Sequence, residues 1–300
     1  MFSGSVVVVL STPLVSVSAP LIVTGGKIHS IDYELKIASA QIKTAIIMAA
    51  LTAEGTTRIH GEIGSRDHTE RLLPHFGVEI NTNDKEITIR GGQTLKANIV
   101  SVPSDPSTAA FWIGAASIIP GATLELENIS LNPTRIGFIY ALQRMGADIE
   151  TEIVTSLPEP IGKIRVRYAG LIGCSISKEE VPSLIDEIPL IAVLATQAHG
   201  LTEVRGAEEL RVKESDRLDA VATNLRAMGC VIEIFDDGFR IVGPQKLTGT
   251  TIATFNDHRI AMAFSIAGLV AEKETTILDS ECVAVSYPNF YETLNQLVQK

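Results

Sequence analysis

An apolar, Ala-rich stretch followed by a Gly or Thr step, a polar loop and an amphipathic stretch recurs along this chain. Apolar residues at a spacing of three to four predict helices in these stretches. The apolar stretches predict helices over 38–53, 108–119, 186–198 and 260–271, and the amphipathic ones over 68–76, 135–145, 218–228 and from about 288. Gly77, Gly146 and Gly229 end three of the amphipathic stretches, so the period is about seventy residues. Because this exceeds common solenoid periods, we expect compact α/β repeats of the β-α-β-α-β-β type, with short strands at 55–60, 78–81, 86–90, 124–126, 200–202 and 275–278.

Each apolar helix is preceded by polar residues, and these residues are the candidates for catalysis or ligand binding. For Asp105 and Ser107 a helix N-cap is the favoured interpretation. A cap does not require an acid, an imidazole and a guanidinium together, so for Asp257-His258-Arg259 a functional role and a capping role stay equally open.

The stretch 210–217, Leu-Arg-Val-Lys-Glu-Ser-Asp-Arg, has five charged residues directly before an amphipathic pattern. With a helix beginning near Ser215, Lys213, Glu214 and Arg217 could converge at its N-terminus, where free N–H groups favour an anion. A solvated helix start with local ion pairs is the competing interpretation.

Charge and cysteine content restrict the function further. The net charge is −10, which argues against a general nucleic-acid binder, so an anionic ligand would need a local cluster of cations. The three cysteines, Cys174, Cys230 and Cys282, lack metal or redox spacing and fit a reducing, cytoplasmic compartment. No stretch is suited to span a membrane. Residues 2–23 are apolar but lack the positive charge of a signal peptide, and predict a strand or sequence foreign to the rest of the fold.

Three motifs carry a resemblance to a known family. The stretches 37–43 (Ile-Ala-Ser-Ala-Gln-Ile-Lys), 210–217 and 256–262 (Asn-Asp-His-Arg-Ile-Ala-Met) resemble signature stretches of 5-enolpyruvylshikimate-3-phosphate (EPSP) synthases, in the same order and at similar separations. Ser39-Ala40-Gln41 and the stretch 65–70 (Ser-Arg-Asp-His-Thr-Glu) are similar to the branch often insensitive to glyphosate. The sister enzyme acting on UDP-N-acetylglucosamine fits less well, because its cysteine loop is not found here.

The resemblance implies the enolpyruvyl transferase fold, an inside-out α/β barrel with two domains of three repeats about a pseudo-threefold axis. On that basis 103–300 is a nearly complete domain, 21–102 is the last repeat of the other, and 1–20 has no family counterpart. The family's Lys-Ser pair, Gly-rich loop and substrate-binding Arg would precede this chain's matching part. We therefore expect an N-terminally incomplete enzyme.

The resemblance also implies the reaction and the residue roles. Enolpyruvyl would pass from phosphoenolpyruvate to the 5-hydroxyl of shikimate 3-phosphate, with no cofactor and no metal. Asp186 would act at the 5-hydroxyl, Lys213 would serve acid–base transfer, and Glu214 would handle the C3 proton. The substrate-binding residues would be Ser39, Ala40, Gln41, Arg66, Arg217, His258 and Arg259.

Two functional hypotheses stay open at this point. One is an active carboxyvinyltransferase. The other is an inactive or complementation-dependent fragment that acts as a binding or assembly module, through self-association or a chain supplying the missing repeats.

Overall fold

The computed structural model describes residues 26–298, so the expectations for residues 1–20 lie outside the described residues. Contacts divide the chain between Ser101 and Val102 into two compact units, called here the N-terminal unit (26–101) and the C-terminal unit (102–298). This division falls beside the expected boundary at 102/103, while the assignment of family repeats to each unit stays a prediction. Within the described residues, no helix is both long and apolar enough to cross a bilayer.

The N-terminal unit is one α/β repeat. Its elements are β1 (Asp32–Leu35), α1 (Ala40–Ala50), β2 (Thr56–Gly61), α2 (His68–His75), β3 (Ile80–Thr82) and β4 (Glu86–Arg90). The sheet order is β1-β2-β4-β3, with β1 and β2 parallel on either side of α1 in sequence and the remaining pairs antiparallel. Ile47 of α1 is buried with Ile59, Ile87 and Ile89 of the sheet, which forms this unit's core.

The C-terminal unit contains three further repeats. Repeat 2 has α3 (Pro106–Ile118), β5 (Thr123–Ser130), α4 (Gly137–Arg144), β6 (Asp148–Thr155) and β7 (Ile161–Arg167). Repeat 3 has β8 (Ser175–Ile176), α5 (Ile188–Ala195), β9 (Gly200–Val204), α6 (Arg217–Ala227), β10 (Glu233–Phe235) and β11 (Gly238–Gly243). Repeat 4 has β12 (Thr251–Ile252), α7 (His258–Gly268), β13 (Thr276–Ile277) and α8 (Phe290–Val298).

The same connection opens each repeat. The helices α1, α5 and α7 each join two parallel strands, and α3 lies between the parallel-bridged residues Ser104 and Ile129. The sheet of repeat 3 runs β8-β9-β11-β10, which is the order of the N-terminal unit, and repeat 2 keeps β5-β7-β6. The repetition inferred from the apolar pattern is therefore also a repetition of topology.

The core of the C-terminal unit lies where α3, α5 and α7 contact one another. All eight residues of α5 are buried, and α3 and α7 are buried along most of their length. A helix that is apolar on all sides is stable only inside a protein. Each buried Ile or Leu side chain contributes about 1.5–3 kcal/mol, so this contact supplies a substantial part of the unit's hydrophobic stabilisation.

Two helix starts differ from expectation. The helix predicted over 186–198 is a 3₁₀ turn at Ile185–Glu187 followed by the shorter α5, with Pro189 in its first turn, where a missing N–H is tolerated. The helix expected near Ser215 begins at Arg217, because the Asp216 carboxylate accepts a hydrogen bond from the Asp219 N–H at 3.1 Å and caps it.

Candidate active site

The first side chain of α6, Arg217, is almost completely buried, with 1% of it exposed. Its Nε donates to Oδ2 of Asp257 at 2.8 Å, its Nη1 to Oδ1 of Asp186 at 3.3 Å, and its Nη2 to Oε2 of Glu214 at 2.6 Å. A planar guanidinium with five donors is suited to hold several carboxylates at fixed angles. The contacts tie the starts of α5, α6 and α7 together.

Asp257 both caps a helix and anchors this arginine. Its Oδ1 accepts from the Arg259 backbone N–H at 2.9 Å, and its Oδ2 accepts from the Ser215 hydroxyl at 3.0 Å. Burial acts to raise the pKa of Asp257, but hydrogen bonding and attraction from Arg217 more than offset it, and the net shift is downward. Burial likewise acts to lower the pKa of Arg217, and Asp257, Glu214 and Asp186 reverse this. Both groups of the pair are therefore charged at neutral pH.

Arg259, in the first turn of α7, is held more loosely. Its Nη1 lies 3.4 Å from the Asp186 carbonyl oxygen and 3.5 Å from Oε1 of Glu187, and its Nη2 lies 3.5 Å from Oδ2 of Asp186. These distances are at the outer limit of hydrogen bonding. The guanidinium is 15% exposed, so it is better placed than Arg217 to receive an anion without losing tight contacts.

Glu187 extends this network of hydrogen bonds and ion pairs into repeat 2. It hydrogen-bonds Ser107, whose hydroxyl accepts from Nη2 of Arg135 at 2.9 Å, and Arg135 also reaches Oδ1 of Asp105 at 2.5 Å. Burial raises the pKa of Glu187 in spite of Arg259 and the Ser107 hydroxyl. The prediction that Ser107 caps α3 is wrong: Asp105 is the cap, accepting from the Thr108 N–H at 3.2 Å, and Ser107 lies one residue into the helix.

Lys213 does not join Arg217 as the spacing suggested. Its backbone is extended, and α6 begins only at Arg217, so the helical four-residue relation between them is not formed. Among the described residues, the ion pair recorded for its ammonium group is with Glu209, at 2.5 Å. His258, the first residue of α7, is 7% exposed, and burial followed by the charge of Arg259 lowers its pKa.

The N-terminal unit presents a second set of predicted residues. Ser39 caps α1, its hydroxyl accepting from the Ile42 N–H at 3.4 Å and donating to Oε1 of Gln41 at 3.4 Å. Ala40 is the first residue of α1, and Arg66 lies in the loop between β2 and α2. The structure thus groups the predicted residues as Ser39, Ala40, Gln41 and Arg66 in one unit and as Asp186, Lys213, Glu214, Arg217, His258 and Arg259 in the other, where the ammonium group of Lys213 pairs with Glu209.

Over residues 26–298, no group of three or more His, Cys, Asp or Glu side chains is arranged to hold a metal ion.

Comparison with known proteins identifies the family. The model of the EPSP synthase family (3-phosphoshikimate 1-carboxyvinyltransferase) matches residues 14–294. The 3-phosphoshikimate 1-carboxyvinyltransferase of Bacillus licheniformis is 47% identical over 283 residues, covering 94% of this chain and 66% of the relative. That of Alkaliphilus oremlandii is 48% identical over 281 residues, covering 93% of this chain and 65% of the relative. This chain belongs to the EPSP synthase family.

Solved structures agree with the EPSP synthase assignment. An EPSP synthase from Acinetobacter baumannii superposes with a TM-score of 0.85 at 41% identity, over 92% of this chain and 64% of that one. The recognition of the family and of the α/β enolpyruvyl transferase fold is thereby confirmed. The chain spans just under two thirds of the length of these EPSP synthases, between 64% and 66%.

Sequence reasoning missed three members of the charged network at the starts of α3, α5, α6 and α7. Asp257 was weighed only as a cap or as part of a motif, and Glu187 and Arg135 were given no role. A signal for Glu187 was present, because two adjacent acids before an apolar helix exceed what a cap needs. For Arg135 no local signal existed, since its partners Asp105 and Ser107 lie about thirty residues earlier.

Proposed function

We propose that this chain binds phosphoenolpyruvate and shikimate 3-phosphate and carries acid–base and anion-binding groups for enolpyruvyl transfer to the 5-hydroxyl, with release of phosphate. The observation that carries the proposal is the cluster around Arg217 and Arg259. Two guanidinium groups and two partly accessible carboxylates, Asp186 and Glu214, meet at helix starts on an otherwise acidic chain. Anion binding and proton transfer are the two requirements of this chemistry.

The chemistry consists of an addition and an elimination. The 5-hydroxyl oxygen bonds to C2 of phosphoenolpyruvate while its proton leaves and C3 gains a proton. Loss of a C3 proton and of phosphate then forms the enolpyruvyl ether. Asp186 would accept or orient the hydroxyl proton, and Glu214 would exchange the proton at C3. Lys213 would take part after releasing Glu209, its partner in this structure.

The two arginines would contribute differently to phosphoenolpyruvate binding. Arg259 has long contacts and an accessible edge, so we assign it the first contact with the ligand's carboxylate or phosphate. Arg217 would contribute by exchanging Glu214, which is 53% exposed, for a ligand oxygen, while Asp257 continues to hold its Nε. His258, neutral beside Arg259, would act as a hydrogen-bonding partner rather than a charge.

In the N-terminal unit, Ser39, Ala40, Gln41 and Arg66 would contact shikimate 3-phosphate. A helix start with a hydroxyl cap, together with a guanidinium from the same unit, suits a phosphate ester. The Ser-Ala-Gln pattern supports membership in the branch often insensitive to glyphosate, so phosphoenolpyruvate binding should persist in its presence. A biosynthetic reaction on soluble phosphate esters supports a cytoplasmic location.

A second candidate is a fragment that acts only as a binding or assembly module. The observation that favours it is the length, since the chain spans 64–66% of its relatives. Catalysis by positioning needs every group that surrounds the substrates. Self-association through residues 1–102, or a second chain, would supply groups that lie outside the sequence described.

Phosphate release from the two substrates separates these candidates. We expect negligible turnover by this chain alone, and recovery when a second chain carrying the family's Lys-Ser and Gly-rich segments is added. Sedimentation would show whether a complex forms. Measurable release by a monodisperse monomer would reject the need for complementation, and absence of binding of either substrate would reject the proposed function.

A further inference from the structure

Two stretches of the N-terminal unit that carry the family resemblance, 37–43 and 65–70, each end in a buried charge. Lys43 of α1 and Glu70 of α2 are 1% and 7% exposed, and Nζ of Lys43 lies 2.7 Å from Oε1 of Glu70. The binding roles assigned above include neither residue. A buried ion pair seldom adds stability over apolar residues of similar volume, because desolvation costs as much as the attraction returns. Its presence needs another explanation.

The other contacts of Lys43 explain why the ion pair is present. Nζ donates to the carbonyl oxygen of Ser65 at 3.2 Å and to that of Ile63 at 3.3 Å. An ammonium group has three donors, so all three are engaged. The Ser65 carbonyl belongs to the peptide bond that leads into Arg66. Lys43 therefore holds the backbone directly before Arg66.

Lys43 is also fixed to the other binding segment. Its backbone N–H donates to the Ser39 carbonyl at 3.1 Å within the first turn of α1, the turn that carries Ser39, Ala40 and Gln41. One cation thus spans from the turn that presents Ser39 to the loop that presents Arg66. Glu70 supplies the negative charge that makes its burial possible.

We propose that Lys43 is a positioning residue for the phosphate-binding segments of the N-terminal unit, with Glu70 as its counter-ion. This inference rests on the proposed function. Lys43 does not touch the ligand. It sets the separation between the Ser39–Gln41 turn and the Arg66 loop, so that both can contact one phosphate group.

The test separates positioning from stability. Lys43→Met alone leaves the Glu70 carboxylate buried and unpaired, whereas Lys43→Met with Glu70→Leu removes both charges and should regain most of the lost stability. The probe is shikimate 3-phosphate, titrated into the full chain while the amide NMR signals of residues 39–43 and 66 are followed. We expect the double variant to bind at least tenfold more weakly and its 62–67 amides to exchange hydrogen at least tenfold faster.

The matched control is Thr44→Val with Thr69→Val. The hydroxyls of Thr44 and Thr69 lie 2.7 Å apart and join the same two helices without contacting the loop carbonyls. This pair should leave affinity and loop exchange unchanged. If the double charge variant folds poorly, Lys43→Gln with Glu70→Gln, which keeps polar groups there, should still weaken binding.

The outcomes are distinct. A stable double variant with wild-type affinity overturns the positioning role, whatever its loop exchange. Weaker binding by the threonine control to the same degree also overturns it. If the amide NMR signals of the wild-type chain do not shift when shikimate 3-phosphate is added, the proposed function is rejected, and this inference with it.

Discussion

Arg217 and Lys43 are large side chains that are each only 1% exposed, and each is a cation. Arg217 meets three carboxylates that come from three separate segments. Lys43 meets one carboxylate and two carbonyl oxygens of a neighbouring loop. The difference follows from the shapes of the two groups. The planar guanidinium of Arg217 can donate to several carboxylates, whereas the compact ammonium group of Lys43 suits nearby backbone oxygens.

The charge balance of the two sites also differs. Around Arg217 and Arg259, two cations face the four carboxylates of Asp186, Glu187, Glu214 and Asp257, a formal balance of +2 − 4 = −2 when all are ionised. Burial raises the pKa of Glu187, which relieves part of this excess. Lys43 and Glu70 balance as +1 − 1 = 0. The first site therefore has carboxylates beyond those that its cations neutralise, and the second has none.

The largest effect is expected from Arg217→Met. It leaves three carboxylates without their common cation, and breaking a buried ion pair costs about 3–5 kcal/mol. Urea unfolding followed by circular dichroism measures the loss. Arg240→Met is the control, because Arg240 is 43% exposed and pairs with Glu203 and Glu233 at the surface, where water and salt screen an ion pair and its loss costs little. Equal losses in the two variants would contradict the role given to the buried cluster.

Lys43→Met should cost somewhat less, about 3 kcal/mol, because it isolates one carboxylate rather than three. Adding Glu70→Leu should recover most of this loss. Adding Asp257→Leu to Arg217→Met should recover less, since Asp186 and Glu214 still lose their contacts to the guanidinium and α7 also loses its cap. The same urea titrations provide both comparisons. Similar recovery in the two double variants would show that the buried cations are equivalent after all.

Arg259→Ala should weaken phosphoenolpyruvate binding by about 1–3 kcal/mol, the scale of a hydrogen bond to a charged group. Calorimetric titration of the ligand measures this, with Arg226→Ala as control because Arg226 donates to the Ile232 carbonyl away from the cluster. Unchanged affinity in both Arg259→Ala and Arg217→Lys would place the ligand elsewhere.

The smallest effect concerns pH. The pKa of His258 lies below its ordinary value of 6.5 in the folded chain, so on acidification the unfolded state takes up the proton first. Stability should therefore fall as pH drops from 6.5 toward the lowered pKa of His258, and His258→Gln should remove this part of the slope. Urea unfolding at pH values between about 5 and 7 measures it. The same slope in the wild-type chain and in His258→Gln would contradict this assignment.

Much of the fold could be predicted because its signals are local. The apolar periods located α1, α3 and α7 within a few residues, and Gly77, Gly146 and Gly229, which all have positive φ, marked helix ends. The predictions that failed depended on which residue starts a helix or on contacts between residues far apart in sequence. Whether Lys213 meets Arg217 depended on the helix start, which Asp216 decided by capping. Burial of Lys43 could not be inferred from its own helix, because its partner Glu70 lies 27 residues later.

The closure of each sheet within its own repeat has a consequence for folding kinetics. Among the described strands, every sheet joins strands of one repeat, and contacts between different repeats come mainly from packing of α3, α5 and α7. Loop-closure entropy grows with the length of chain that must be closed, so each sheet can form at a modest entropic cost before the others exist. Docking of the three apolar helices is then the late, cooperative event. Native-state hydrogen exchange should accordingly show the strand amides of one repeat opening together, separately from those of the other repeats.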